Sequence, residues 1–311
     1  MAIGLCCHFL SEEKAPRTGK ISYKNLMDER VLQLGRWKDG KYTHDQVKGT
    51  YVHNAKSLLN GIKIVGKAGV KNFRVSSCLF PLSDQVPQHL WNNEEVIVYL
   101  KKVGDYAKEN GIRLTTHPGQ FCSLSSTSED VVKKTIIELE NHAWIFDQMG
   151  LPLTPHAAIN IHGAKANRSA ELISVINDLA PNIKNRLTLE NDEMSYSAVD
   201  LLEISQSTGV PVVFDSHHHT FNTGDLSLEE AMFATMATWT KGIKPLQHLS
   251  NTDPQLVNGS LMDRRKHSDW VHYIPESQLE LMRKDEVDVD AEFKMKNFAI
   301  DKMKKEFSIP V

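Results

Sequence analysis

The segment Thr208-Gly209-Val210-Pro211-Val212-Val213-Phe214-Asp215-Ser216 carries, in order, the end of an amphipathic run, a glycine, a short β-branched run and a carboxylate. Glycine just past a helix is the expected left-handed cap, and the apolar run that follows has the length of a strand. An apolar strand does not normally end in an acid unless the acid faces something that needs charge. The stretch Arg186-Leu187-Thr188-Leu189-Glu190-Asn191 has the same ending, about one β/α unit earlier.

Outward from this pair the pattern repeats. Glycine separates a helical run from an apolar one at Ala68-Gly69-Val70, Asn110-Gly111-Ile112 and Met149-Gly150-Leu151. Helical spacing places Val52, Ala55, Leu59 and Ile62 on one face of a helix from about Gly49 to Lys67. Val96, Leu100, Val103 and Ala107 form a second such face, and Val132, Ile136, Leu139, Ala143 and Phe146 a third. Ser227 and Glu230 have capping-box spacing for a helix running to about Thr240. Strands are expected over residues 3–9, 72–77, 113–117, 157–162, 186–190, 211–216, 244–249 and 286–290. Eight strands alternating with helices predict an α/β protein, a closed parallel (β/α)8 TIM barrel with its active site at the C-terminal ends of the strands. A single domain over residues 1–311 is expected, with residues 10–48 a loop decoration carrying one helix.

The 311 residues suffice for one large core, and a net charge of −3 with pI near 6.5 gives no sign of a general nucleic-acid-binding surface, though a local basic groove stays compatible with it. Cys6, Cys7, Cys78 and Cys122 form neither a C-x-x-C pair nor a disulfide ladder. The first residues lack a basic leader and no apolar run reaches spanning length. The expectation is a soluble, cytoplasmic monomer with no membrane partner. No glycine-rich phosphate loop follows a strand, so no nucleotide cofactor is expected.

Side chains able to bind metal gather where such a barrel does chemistry. His117, His162, Glu190, Asp215, His218, His248 and Asp290 fall at or just past strand ends, and His267 lies between the last two strands. Eight such groups exceed the needs of one four-coordinate ion, so two or three divalent ions bridged by a carboxylate are expected, with Glu190, Asp215 and His248 at the catalytic centre. Glu190 and Asp215 have an alternative role as helix caps. Only His218 of the run His217-His218-His219 has a spacing from Asp215 that suits neighbouring ions. Other histidines, such as His44, His53 and His89, are assigned to surface or core. The run Arg264-Arg265-Lys266 is either a solvated face or a grip on phosphates.

Taken in order, Arg74-Val75-Ser76-Ser77, His117-Pro118-Gly119-Gln120-Phe121, Asn160-Ile161-His162-Gly163, Leu189-Glu190-Asn191-Asp192, Asp215-Ser216-His217-His218-His219, His248-Leu249-Ser250 and His267-Ser268-Asp269-Trp270 resemble the UV damage endonucleases. The resemblance implies a barrel related to endonuclease IV that holds up to three divalent ions, manganese first, with zinc or cobalt as alternatives. It implies a damaged double-stranded DNA substrate, nicked immediately 5′ to the lesion to leave a 3′-hydroxyl and a 5′-phosphate. By the same resemblance His117, His162 and Glu190 would hold one ion, Glu190 with Asp215, His248 and Asp290 a second, and His218 with His267 a third. Gln120 and Phe121 would be the pair pushed into the duplex at the damage. Leu246, Leu5, Phe9 and Gln85 stand where many members carry lysine, tyrosine, asparagine and histidine, and the last carboxylate, Asp290, stands in place of a glutamate. Two other functions remain open at this point, a metal-dependent sugar isomerase or epimerase on a related barrel and a damaged-DNA binding protein that does not cut.

Overall fold

Every expected strand forms, each slightly shorter than its apolar run. In the computed structural model, which describes residues 3–16, 18–119 and 121–309, the barrel strands are β1 (Ile3–Cys6), β4 (Asn72–Val75), β5 (Arg113–Thr116), β6 (Ile159–His162), β7 (Leu187–Glu190), β8 (Val212–Asp215), β9 (Leu246–Leu249) and β10 (Asp288–Ala291). All are parallel to their neighbours, and β1 closes the barrel by pairing with both β10 and β4. Helices cover the outside, so β1, β5, β7, β8, β9 and β10 are buried along their whole length.

The glycine caps form as expected. Gly69, Gly111, Gly150 and Gly209 all have positive φ, and Gly209 is the left-handed cap of the helix Ala198–Thr208. In the helix Glu94–Glu109 the expected stripe of Val96, Leu100, Val103 and Ala107 is buried, each larger side chain contributing about 1.5–3 kcal/mol over its exposed state. In the helix Glu129–Gln148 only Leu139, Ala143 and Phe146 of the expected stripe are buried; Val132 and Ile136 are half-exposed near its free first turns. The Ser227–Glu230 capping box forms at the start of Leu228–Met236.

The decoration after the first strand departs from expectation. It holds an antiparallel hairpin, β2 (Leu10–Lys14) with β3 (Ile21–Asn25), then the short helix Leu34–Lys38. The hairpin is mostly exposed, so its sequence lacks the alternation that marks a strand with one buried face. The next helix begins at His44 rather than near Gly49, because Thr43 and Gln46 form a capping box. The first strand ends at Cys6, since Cys7 takes a left-handed φ of 62° and breaks the extended chain.

Strand parity sets what faces the barrel interior. Asp288, Asp290 and Glu292 share one side of β10 and its extension, giving a column of three acids from the lower end to the upper rim. Each acid has its own partner: Asp288 pairs with Arg113 at 3.0 Å, Asp290 accepts from Asn72 Nδ2 at 2.8 Å, and Glu292 pairs with Arg74. Asn72 and Asp290 lie on strands separated by β1. They meet because Gly4 stands between them in register; a Cβ there would collide with both.

Candidate metal centre

The upper rim gathers the strand-end side chains around Glu190. Glu190 is 1% exposed, and its two oxygens face different ways. Oε2 lies 3.1 Å from His117 Nε2, while Oε1 lies 3.0 Å from His248 Nδ1. Asn160 also donates to Oε2 and is itself oriented by Thr188, whose hydroxyl donates to Asn160 Oδ1 at 2.8 Å. The carboxylate therefore has the placement of a bridge, held from both sides.

Three overlapping groups of potential ligand atoms result, each within 4.8 Å: His117, His162 and Glu190; Glu190, Asp215 and His218; Asp215, His248 and Glu292. Six of these seven residues are expected from the sequence. The seventh, Glu292, is not; it lies one residue past β10, with Oε1 3.3 Å from His248 Nδ1. Asp290, expected in this role, is absent from all three groups. It sits on the far side of His248, 3.7 Å from Nε2, at 0% exposure. The alternation Asp288-Val289-Asp290-Ala291-Glu292 is the available signal: acids two apart share a face, and the last stands nearest the rim.

The helix-cap reading of Asp215 also holds, using one oxygen. Oδ1 accepts from the backbone N–H groups of His217 and His218 at 2.7 and 2.8 Å, so the short helix Ser216–His219 starts on it. Oδ2 has no hydrogen-bond partner among the described residues, and the same is true of His162 Nδ1 and both ring nitrogens of His248. The 3.0 Å approach of His248 to Glu190 thus lacks hydrogen-bond direction. Buried polar atoms without partners are costly, and here they converge among carboxylates, as a cation site requires. This donor set of imidazoles and carboxylates fits divalent ions. His117 donates Nδ1–H to the Pro118 carbonyl at 3.0 Å, which leaves Nε2 as its ligand atom.

Charge follows the geometry. Burial pushes the Glu190 carboxyl up, but the imidazoles of His248, His162 and His117 around it hold it well below the carboxylate range. Burial opposes charge on His248 as well, yet Glu190 and Glu292 push it up to about 10. His218 is likewise raised against its burial, to about 9, by Asp215, Glu190 and Glu193. His162 is lowered, burial outweighing the attraction of Glu190. Burial raises the Asp290 carboxyl, despite His248 and Arg74.

The other expected residues divide. His267 stands at the rim, Nδ1 donating to the Glu292 carbonyl at 3.0 Å and its ring 5.9 Å from that of His217. His217 and His219 are buried; His219 Nε2 meets the Leu226 carbonyl. Phe121 projects into solvent, 92% exposed, just past His117-Pro118-Gly119. Gln120 lies outside the described residues. In the basic run, Arg265 lines the cleft, whereas Lys266 pairs with Asp263 and Arg264 lies over the Phe221 ring. The cleft has a volume of about 540 Å³, and its walls include Arg74 and Glu193, two residues to which the sequence reading gives no role.

Fold and rim together define a parallel α/β barrel with a multi-ligand, cation-competent centre at the C-terminal ends of its strands. Barrels of this kind serve several chemistries: D-psicose 3-epimerase shares the fold at a TM-score of 0.50 and 17% identity, over 75% of this chain and 78% of that one. Endonuclease IV from Thermus thermophilus shares it at 0.57 and 12%, over 81% and 93%. The chain itself belongs to the UV-endonuclease UvdE family, whose model matches residues 18–309. It is 36% identical over 263 residues to a UV DNA damage endonuclease of Nostoc sp. (strain PCC 7120), covering 82% of this chain and 78% of the relative. A UV DNA damage endonuclease of Deinococcus radiodurans is 33% identical over 233 residues, 71% and 76% of the two chains. The crystal structure of SacUVDE matches over 100% of both chains, with a TM-score of 0.78 and 28% identity.

Proposed function

We propose that this chain is a UV-damage DNA repair endonuclease that hydrolyses the phosphodiester immediately 5′ to a lesion in double-stranded DNA, leaving 3′-hydroxyl and 5′-phosphate ends. The observation that carries the reading is the shared use of Glu190 and Asp215 by three groups of ligand atoms, in a chain of this family. His117, His162 and Glu190 would hold one divalent ion, and Glu190, Asp215, His248 and Glu292 a second. His218 and His267 would serve a third, and manganese is the first candidate for all. Bound there, such ions would activate water for in-line attack and neutralise the charge that builds on the phosphate.

The chain's own residues prepare for this. Glu190 spans two ligand groups because Asn160 and His117 fix one oxygen and leave the other facing His248. Asp290 lies behind His248, with Oδ2 3.7 Å from Nε2, and Arg74 holds Glu292. Phe121, with Gln120, is the damage probe: an aromatic ring in water on the cleft side of the barrel offers a stacking surface for a displaced base. Arg265 is the phosphate contact of the basic run.

Incision of one labelled duplex carrying a defined pyrimidine dimer, with manganese and with chelator, tests this reading. A metal-dependent nick 5′ to the dimer is expected. A single ion per chain together with no nicking would instead assign the chain to the sugar epimerases whose fold it shares.

A further inference from the structure

Arg265 is already occupied. Its Nε and Nη2 donate to the two carboxylate oxygens of Glu193 at 3.0 and 3.1 Å, a bidentate pair. Nη1 lies 3.1 Å from the Met194 sulfur. The partners come from separate loops, Glu193 from the one after β7 and Arg265 from the one between β9 and β10, and both line the cleft. Each loop is fixed independently. The Asp192 side chain accepts from the backbone N–H groups of Met194 and Tyr196, and the Thr252 hydroxyl donates to the Arg264 carbonyl at 2.6 Å. Both loops thus carry fixing bonds besides this pair. It also stands over the candidate centre, because Glu193 Oε1 is 3.7 Å from His218 Nε2.

A guanidinium fork fits a carboxylate and a phosphate in the same planar, two-point geometry. Arg265 is 33% exposed, so an incoming group can reach it, and a pair this open is readily exchanged. We infer that Glu193 is an internal stand-in for substrate phosphate: it holds Arg265 until the DNA backbone, seated at the rim, takes the guanidinium over. The two residues then set how strongly intact and damaged duplexes are distinguished. Intact duplex, which reaches the rim without being pressed into the cleft, fails to displace Glu193 and meets no free guanidinium. Damaged duplex, pressed into the cleft, does displace it. Glu193 and Arg265 are positioning and specificity residues in this account, and the account rests on the DNA endonuclease reading above.

The test compares Glu193→Gln and Arg265→Ala with wild type, with manganese present, using a short fluorescent duplex without damage for Kd and the dimer-bearing duplex for kcat/KM. Glu193→Gln, which frees the guanidinium, tightens binding to intact duplex by about three- to tenfold. Arg265→Ala weakens damaged-duplex kcat/KM by about tenfold through KM, and lowers the slope of log Kd against log salt by about one. Arg265→Lys, keeping the charge but not the fork, falls between. Opposite signs for the two variants in duplex affinity are the mark of a displaceable stand-in. If both weaken binding together, or neither changes it while wild type still nicks the dimer, the pair is a structural brace and the inference fails. Should Glu193→Gln not fold, Arg265→Ala with an unchanged salt slope and KM sinks it equally. If wild type neither binds nor nicks either duplex, the endonuclease reading itself is wrong.

Discussion

Both ends of the barrel bury charge, but they treat it differently. At the lower end, Arg113 directs Nε to the His156 carbonyl, Nη1 to the Lys244 carbonyl and Asp288, and Nη2 to the Pro155 carbonyl. Arg186, just before β7, is held in the same way by Asp147 and the carbonyls of Pro152 and Leu151. At the upper end, Asp215, His162 and His248 keep buried polar atoms that no described residue satisfies. Arg113 and Arg186 close their hydrogen bonds within the protein; these rim residues leave some of theirs open. A saturated polar network supports stability, and an unsaturated one marks the place where something else binds.

Substitutions at the two ends should separate accordingly. The largest effect is expected at the lower end. Arg113→Met removes the guanidinium 3.0 Å from the buried Asp288 together with its bonds to three backbone carbonyls, and should cost about 3–5 kcal/mol in urea unfolding, with nicking per folded molecule unchanged. A stability loss below about 1 kcal/mol would remove the contrast, since that is the range of surface changes.

At the rim, Glu190→Gln should cut incision by about 10²–10³-fold while damaged-duplex binding stays within a few-fold, as the proposed roles of Glu190 as bridge and of the Phe121 loop as DNA reader require. Equal cutting by wild type and variant would dismiss Glu190 as the bridge.

The rim should also answer to pH. In the cation-free protein His248 and His218 are raised to about 10 and about 9, so both carry protons at neutral pH that a cation must expel. Manganese affinity should rise from neutrality to about pH 9, by up to about tenfold per pH unit for each proton released. Without the cation, the sign for stability is the reverse. The contribution of these raised groups is complete below the ordinary histidine value of 6.5 and lost as pH climbs through about 9 to 10. Calorimetry in buffers of different ionisation enthalpy counts the protons, and release of none would contradict the assignment.

The smallest effect is expected at Phe121. Phe121→Ala should lower the preference for damaged over intact duplex by about tenfold, the size of one lost base-stacking contact, and leave stability alone because the ring is in water. Unchanged preference in competition binding would end the probe assignment.

The barrel was legible because four β/α units repeat one local rule, a helix closed by a left-handed glycine and followed by an apolar strand, as at Thr208-Gly209-Val210. The hairpin Leu10–Asn25 was not, since two exposed strands leave no hydrophobic period to read. At the site, strand-end histidines and acids pointed to the groups that do converge. The miss was one of depth within a strand: Asp288, Asp290 and Glu292 share a face, and only the three-dimensional stacking shows which stands level with His248. Arg74 and Glu193 escaped assignment because their roles depend on partners far away in sequence, Glu292 and Arg265.

Gly4 offers no donor, acceptor or apolar surface of its own, yet it sets the alignment of the strand that delivers Glu292. With only a hydrogen there, Asn72 reaches across β1 and anchors Asp290, two residues below Glu292. A single methyl at position 4 would act as a shim between two strands it does not belong to. Tolerance to substitution is therefore expected to be least at a residue whose contribution is its lack of a side chain.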